Sequence, residues 1–153
     1  MGNNYNKAQV NLKIKIMKKI KKQLLLTKED FEIIMGYVRT GLAHQIFGRK
    51  EADELQLELK KARLVDNSAL PEDVVRLNSA VTIKDEEEDK VMEVTVVTPE
   101  KANIKQRKIS ILSPIGTALI GFKKGQKVDW RVPAGKKTFC ILEVNNSLVQ
   151  GAS

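Results

Sequence analysis

The chain is poor in the side chains on which most enzymes and metal sites depend. Its 153 residues hold one cysteine, one histidine and one tryptophan, and only 5% are aromatic. A single cysteine excludes an internal disulfide and suits a reducing, cytoplasmic compartment. One histidine leaves any His-dependent triad to be built around His44 alone. No glycine-rich phosphate loop, Gly-x-Ser-x-Gly elbow or paired Cys/His spacing occurs. No apolar run approaches the roughly 20 residues that a membrane-spanning helix needs. These absences point away from an enzyme, and neither a cofactor nor a metal is expected. Cys140 lies in an alternating segment and reads as a small buried strand residue.

Acid is also missing in one place. Residues 1–26 carry seven lysines and no aspartate or glutamate. Beyond them, 20 basic residues face all 19 acids, so the net charge of +8 falls to +1. Residues 1–23 therefore read as a basic, solvated arm, with weak nucleic-acid contact through its lysines as the alternative. Leu24-Leu25-Leu26 is too short for the apolar region of an export signal. Met17-Lys18-Lys19-Ile20 reads as an alternative start to Met1.

Apolar residues make up 42% of the chain, enough for a core of Ile, Leu and Val. Gln23–Leu26 is a short strand candidate. Thr27 then offers a helix N-cap, with acids at Glu29 and Asp30 suited to the positive helix end. Phe31, Ile34, Met35, Val38, Leu42 and Ile46 fall on one helical face. Gly36 and Gly41 weaken this helix by about 1 kcal/mol each and mark close packing or a bend. Phe47-Gly48-Arg49-Lys50 reads as a turn. A second helix is expected from Glu51 to about Leu64, with Ala52, Leu55, Leu59 and Ala62 as its apolar stripe. Two such helices joined closely form an antiparallel hairpin over residues 24–66; packing against a sheet is the other use of such stripes. Asp66–Pro71 is a linker.

From Val74 the periodicity changes to two. Strands are expected at Arg76–Lys84, Val91–Thr98, Arg107–Leu112, Lys127–Val132 and Lys137–Asn145. The acid run Asp85–Asp89 reads as a solvated hairpin turn, Pro99–Lys105 as a loop, and residues 147–153 as a tail.

The segment from Ser113 to Gly125 is the most informative. Ser113 suits an N-cap and Pro114 the first helical position, where its missing N–H goes unneeded. Gly121 suits a left-handed residue that ends the helix. A short helix between two strands presents a rigid Ser-Pro corner at the surface.

Ile109-Ser110-Ile111-Leu112-Ser113-Pro114-Ile115-Gly116, followed by Ala118-Leu119-Ile120-Gly121, resembles the C-terminal domain of the bacterial Gre (GreA/GreB) transcript-cleavage factors. Trp130-Arg131-Val132-Pro133-Ala134-Gly135 fits the same family. Leu70-Pro71-Glu72-Asp73-Val74-Val75-Arg76-Leu77-Asn78-Ser79 looks most like the Rnk branch, the regulator of nucleoside diphosphate kinase. The resemblance implies an α+β chain. It would have a short N-terminal antiparallel helical hairpin (coiled coil), then an FKBP-like bent antiparallel β-sheet with one short helix over residues 71–146.

The implied function is transcription elongation control through RNA polymerase, with Ser113, Pro114 and Ile115 docking on the rim of the secondary channel. Gre factors carry two acids at the tip of a long coiled coil, and these help hold a catalytic magnesium. Here the tip, Phe47, Gly48, Arg49 and Lys50, has none, and Glu51 and Asp53 sit where they would cap the second helix. Cleavage activity is therefore not expected. The alternative implied by the Rnk likeness is regulation of nucleoside diphosphate kinase.

Overall fold

The computed structural model describes residues 24–132 and 135–147. The basic arm, the alternative start, Pro133-Ala134 and most of the tail lie outside them.

The helical part opens with a strand, β1 (Leu25–Thr27), that leads into α1 (Lys28–Arg39). Thr27 caps that helix as expected, its Oγ1 accepting the Asp30 N–H at 3.0 Å. The helix does not continue to Ile46. Gly41 adopts φ +88°, and the chain restarts as α2 (Leu42–Phe47). A left-handed residue ends a helix, and glycine adopts that conformation without a Cβ penalty. Gly48, at φ +91°, makes the next break, and α3 runs Arg49–Lys60.

The second helix is thus earlier and shorter than the Glu51–Leu64 expectation. Its intended last turn is a strand instead, β2 (Arg63–Val65), which pairs in parallel with β1. Arg63 donates its N–H to the Leu24 carbonyl at 2.8 Å. The helices bury Ile34, Met35, Val38, Ala52, Leu55 and Leu59 of the expected stripes, and Ala43 besides, while Phe31, Leu42 and Ala62 are half-buried. Ile46, expected on the same face, is 48% exposed because the break at Gly41 ends the continuous helix that would have kept it there.

Five further strands form one sheet in the order β5-β4-β3-β7-β6. They are β3 (Ala80–Asp85), β4 (Lys90–Val97), β5 (Lys108–Ser110), β6 (Lys127–Val132) and β7 (Gly135–Asn145). The strand expected from Arg76 starts four residues later, because Asn78 at φ +73° and a turn closed by Arg76 and Ser79 precede it. All neighbours are antiparallel except β4 and β5, which run in parallel, Thr95 opposite Lys108. The wholly antiparallel sheet therefore needs correcting. The segment 98–107 forms two 3-10 turns and carries the chain back to the start of β4's last residues instead of turning at once.

One contiguous core holds residues of both parts, from Leu26 and Met35 through Val81, Ile83 and Ile141 to Leu112, Leu119 and Phe122. Residues of the sheet that alternate toward this core are Val81, Ile83, Val94, Val96, Phe139 and Ile141. Cys140 is on the other face and is half-exposed, not buried, opposite Lys84 on one side and Lys127 on the other. Alternation put it in the strand, but which face met the core depended on the sheet's partners.

Asp85 also departs from expectation. It ends β3 and is 2% exposed, accepting the N–H groups of Glu87 and Glu88 while Lys137 Nζ lies 3.2 Å away. Burial alone would push its carboxyl up, but those two N–H groups and the Lys137 ammonium outweigh it and bring it below the usual aspartate range. The acid run is a hairpin turn, but its first member fastens the turn to β7.

Candidate functional site

The Ser-Pro corner is built by hydrogen bonds packed into eight residues. Ser113 Oγ donates to the Ser110 carbonyl at 2.7 Å and accepts the Gly116 N–H at 3.0 Å, so one hydroxyl links the end of β5 to α4 (Pro114–Leu119). Thr117 Oγ1 lies 2.8 Å from the carbonyl oxygens of both Ile111 and Ser113. Ser110 Oγ accepts the Leu112 N–H at 3.0 Å, and the Ser110 carbonyl also receives the Ser113 N–H at 2.9 Å. Buried backbone groups need such partners, and here nearly every one near the turn has one.

Gly116 is required by space and not by its φ. A Cβ built there would lie 2.1 Å from the Ser110 carbonyl oxygen, closer than any real contact. The backbone of α4 therefore presses directly on the end of β5. Of the predicted docking residues, Pro114 is exposed, Ser113 is half-exposed, and Ile115 is half-buried against the core. Leu112 is 1% exposed and points inward, so its side chain takes no part in the surface. Gly121 ends the helix at φ +81°, as the sequence indicated, with its Cα side close to Leu24.

The two sequence blocks that carried the resemblance are hydrogen-bonded to each other. Val75 donates to the Phe122 carbonyl at 2.8 Å, Gly121 donates to the Val75 carbonyl at 3.0 Å, and Lys124 donates to the Asp73 carbonyl at 2.9 Å. The segment 70–79 thus braces the far end of α4.

The helical tip is built differently. Phe47 is half-buried against the core, Gly48 makes the break between α2 and α3, and Arg49 and Lys50 are exposed. Gly48 is the N-cap of α3 and gives no side-chain cap. Glu51 and Asp53 both lie inside that helix. Asp53 does not cap it: its Oδ1 meets His44 Nε2 at 3.2 Å, tying α3 to α2. His44 is thus locally hydrogen-bonded to Asp53. Among the described residues no three His, Cys, Asp or Glu side chains converge as a metal site would require.

A third feature was not foreseen from sequence. Asp30 is 4% exposed in the first turn of α1, where its Oδ2 accepts the Leu77 N–H at 3.0 Å. Arg76 Nε is 3.8 Å from the same oxygen, too long for a hydrogen bond, and is buried without one. Burial pushes the Asp30 carboxyl up, against the pull of the Leu77 N–H and the Arg76 guanidinium. Nearby, Tyr37 donates to Glu100 Oε2 at 2.5 Å. That bond raises the Tyr37 hydroxyl and lowers the Glu100 carboxyl. These residues line a groove of about 480 Å³ between α1 and the segments 76–78 and 98–101. Together they fix the direction of α1 relative to the sheet. A sequence gives no sign of such a joint, since 47 positions separate Asp30 from Leu77.

Comparison with known proteins places this architecture. Residues 70–146, which hold both hydrogen-bonded blocks and the Ser113 corner, match the family model "Transcription elongation factor, GreA/GreB, C-term". Transcription elongation factor GreA of Clostridium botulinum (strain Hall) is 39% identical over 103 residues, which is 67% of this chain and 64% of that protein. GreA of Clostridium beijerinckii is similar at 39% over the same length and shares. The chain thus spans 64% of the length of these curated relatives. Among solved structures, a GreA/GreB elongation factor from Nitrosomonas europaea superposes with a TM-score of 0.68 at 31% identity, covering 80% of this chain and 99% of that one. No helix among the described residues is long and apolar enough to cross a membrane. The corner, its brace and the sheet behind them are therefore those of a known lineage, and the chain belongs to the GreA/GreB family of transcription elongation factors.

Proposed function

We propose that this chain binds RNA polymerase near its secondary channel and modulates elongation without stimulating transcript cleavage. In this reading the sheet and α4 form an FKBP-like docking domain over residues 71–146. The helices α1 to α3 form a stubby version of the family's hairpin over residues 24–66. The docking surface is the Ser113–Ile115 corner.

The corner carries the reading. Ser113 and Thr117 each satisfy two groups, and Gly116 leaves no slack between β5 and α4. A pre-organised surface loses little conformational entropy on binding. The helical tip argues against cleavage. At about 1.5 Å per residue, the 12-residue helices α1 and α3 reach only about 18 Å each. The tip exposes Arg49 and Lys50, and the nearby Asp53 carboxylate is already engaged by His44. Delivering a magnesium ion requires carboxylates free at the end of a long rod.

Retention on core polymerase, tested with Ser113→Glu and Pro114→Ala, addresses docking, and both variants are expected to lose it. Equal retention of both would refute the dock. Backtracked elongation complexes are expected to show no added cleavage with the wild-type chain, and robust cleavage would overturn the non-catalytic part.

A further inference from the structure

The tip of the segment joining β4 to β5 carries a second feature that nothing above uses. Asn103 and Lys108 exchange both backbone hydrogen bonds at 2.9 Å. Asn103 accepts the Gln106 N–H through its carbonyl at 3.1 Å and through Oδ1 at 3.3 Å. Arg107, at φ +56°, closes the turn by donating to the Ile104 carbonyl at 3.0 Å. Ile104 stands on this closed turn with 91% of its surface in water, against 59% for Leu57, the next most exposed large hydrophobic among the described residues.

A lone exposed aliphatic side chain is ordinary on a protein surface. The setting of this one is not. Lys101, Lys105, Arg107 and Lys108 are all exposed around it, and none is ion-paired among the described residues. Elsewhere Lys84, Lys90, Lys124, Lys127 and Lys137 each reach a carboxylate. Glu100, beside the tip, accepts hydrogen bonds from Tyr37 and Thr98 and also feels the Lys101 ammonium. An aliphatic knob is held outward by backbone bonds within a collar of exposed cations, of which Lys101 also acts on the Glu100 carboxylate.

The knob lies at the other end of β5 from the Ser-Pro corner. At about 3.3 Å per residue, the three residues of β5 between them span roughly 10 Å. β5 is also the edge of the sheet.

We propose that Ile104 is a second anchor of the docking surface, entering an apolar socket rimmed by carboxylates on the partner protein. The inference rests on the polymerase reading and extends it to the chemistry of the partner. The observations favour a protein over a nucleic acid. No aromatic side chain stands at the tip to stack on a base, and the cations ring an apolar group instead of lining a groove. The socket supplies apolar contact, and the carboxylates supply the charge that the collar lacks.

Binding of the full chain to core RNA polymerase, followed by interferometry at several salt concentrations, tests this. Ile104→Asp is expected to weaken binding at least about tenfold, the effect of losing one buried aliphatic anchor. Ile104→Leu is expected to retain it. Lys105→Glu combined with Arg107→Glu is expected to lower affinity and flatten its salt dependence. All of these positions are exposed, so thermal unfolding should stay unchanged and report that each variant is folded. Wild-type affinity in Ile104→Asp, with Pro114→Ala impaired, would sink the knob and leave the polymerase reading intact. Failure of the wild-type chain to bind would remove that reading and the knob with it. Loss of duplex DNA or RNA binding in the charge-reversed variant, with polymerase binding unchanged, would identify a nucleic-acid contact and overturn the proposal.

Discussion

The Ser113 corner and the Gly48 tip are both turns at helix starts, yet they are held by different means. At the corner, two hydroxyls, a proline and a glycine without room for a methyl group fix a single geometry. At the tip, the helix begins on a glycine that offers no cap, and an exposed His44–Asp53 contact links α2 and α3. A determined surface suits recognition, since little order must be created on contact. A loosely specified tip suits a segment that only has to fill space. The two turns thus differ in how strongly the local sequence dictates them.

Gly116→Ala should break the comparison most severely. The added methyl meets a carbonyl oxygen at 2.1 Å and cannot rotate away, so a loss of about 3 kcal/mol or more in urea unfolding is expected. Gly41→Ala, by contrast, meets open space and bears only the left-handed backbone penalty, about 1–2 kcal/mol. If the two variants unfold at the same urea concentration, the corner is no better determined than the helical bends.

Ser113→Ala removes the cap of α4 and should lose about 1 kcal/mol by the same measurement. A shift within error would mean that Thr117 and the backbone suffice.

Asp30→Asn sharpens the comparison at the joint between the parts. The Asp30 carboxyl is raised in the folded chain, chiefly by burial. Its contribution is therefore fully present below its unfolded value near pH 3.9 and is lost as pH rises through the higher folded value. The asparagine can still accept the Leu77 N–H but does not ionise. Unfolding midpoints at pH 4 and pH 7 should show the difference between variant and parent moving in the variant's favour as pH rises; a difference that stays flat would contradict the burial account.

The smallest effect belongs to the tip. Asp53→Asn disrupts a contact between two solvent-exposed side chains, and less than about 1 kcal/mol should follow. A larger loss would mean that the tip is held more firmly than its exposure suggests.

Much of the corner was legible in the sequence because its determinants are close together. A cap, its N3 donor partner and a terminating glycine lie within nine positions, and each acts through the backbone nearest to it. The Thr27 cap, the apolar stripes of α1 and α3 and the span of β6 were legible for the same reason. The strand at Arg63–Val65 was not. Its residues continue a helical stripe, and only pairing with Leu25–Thr27 outweighs that local preference. Cys140 and Asp85 were misjudged for a related reason, because period-two alternation names two faces without saying which one is covered.

The sequence by itself determined the short helices, the strand alternation and the closed Ser-Pro corner, because these follow from steric and hydrogen-bonding rules acting over three or four residues. Only the tertiary structure decided that β5 runs parallel to β4, that Asp30 reaches Leu77, and that Ile104 stands in water among exposed cations. Those outcomes depend on which distant groups come within a few ångströms once the core closes, and no local pattern carries that distance.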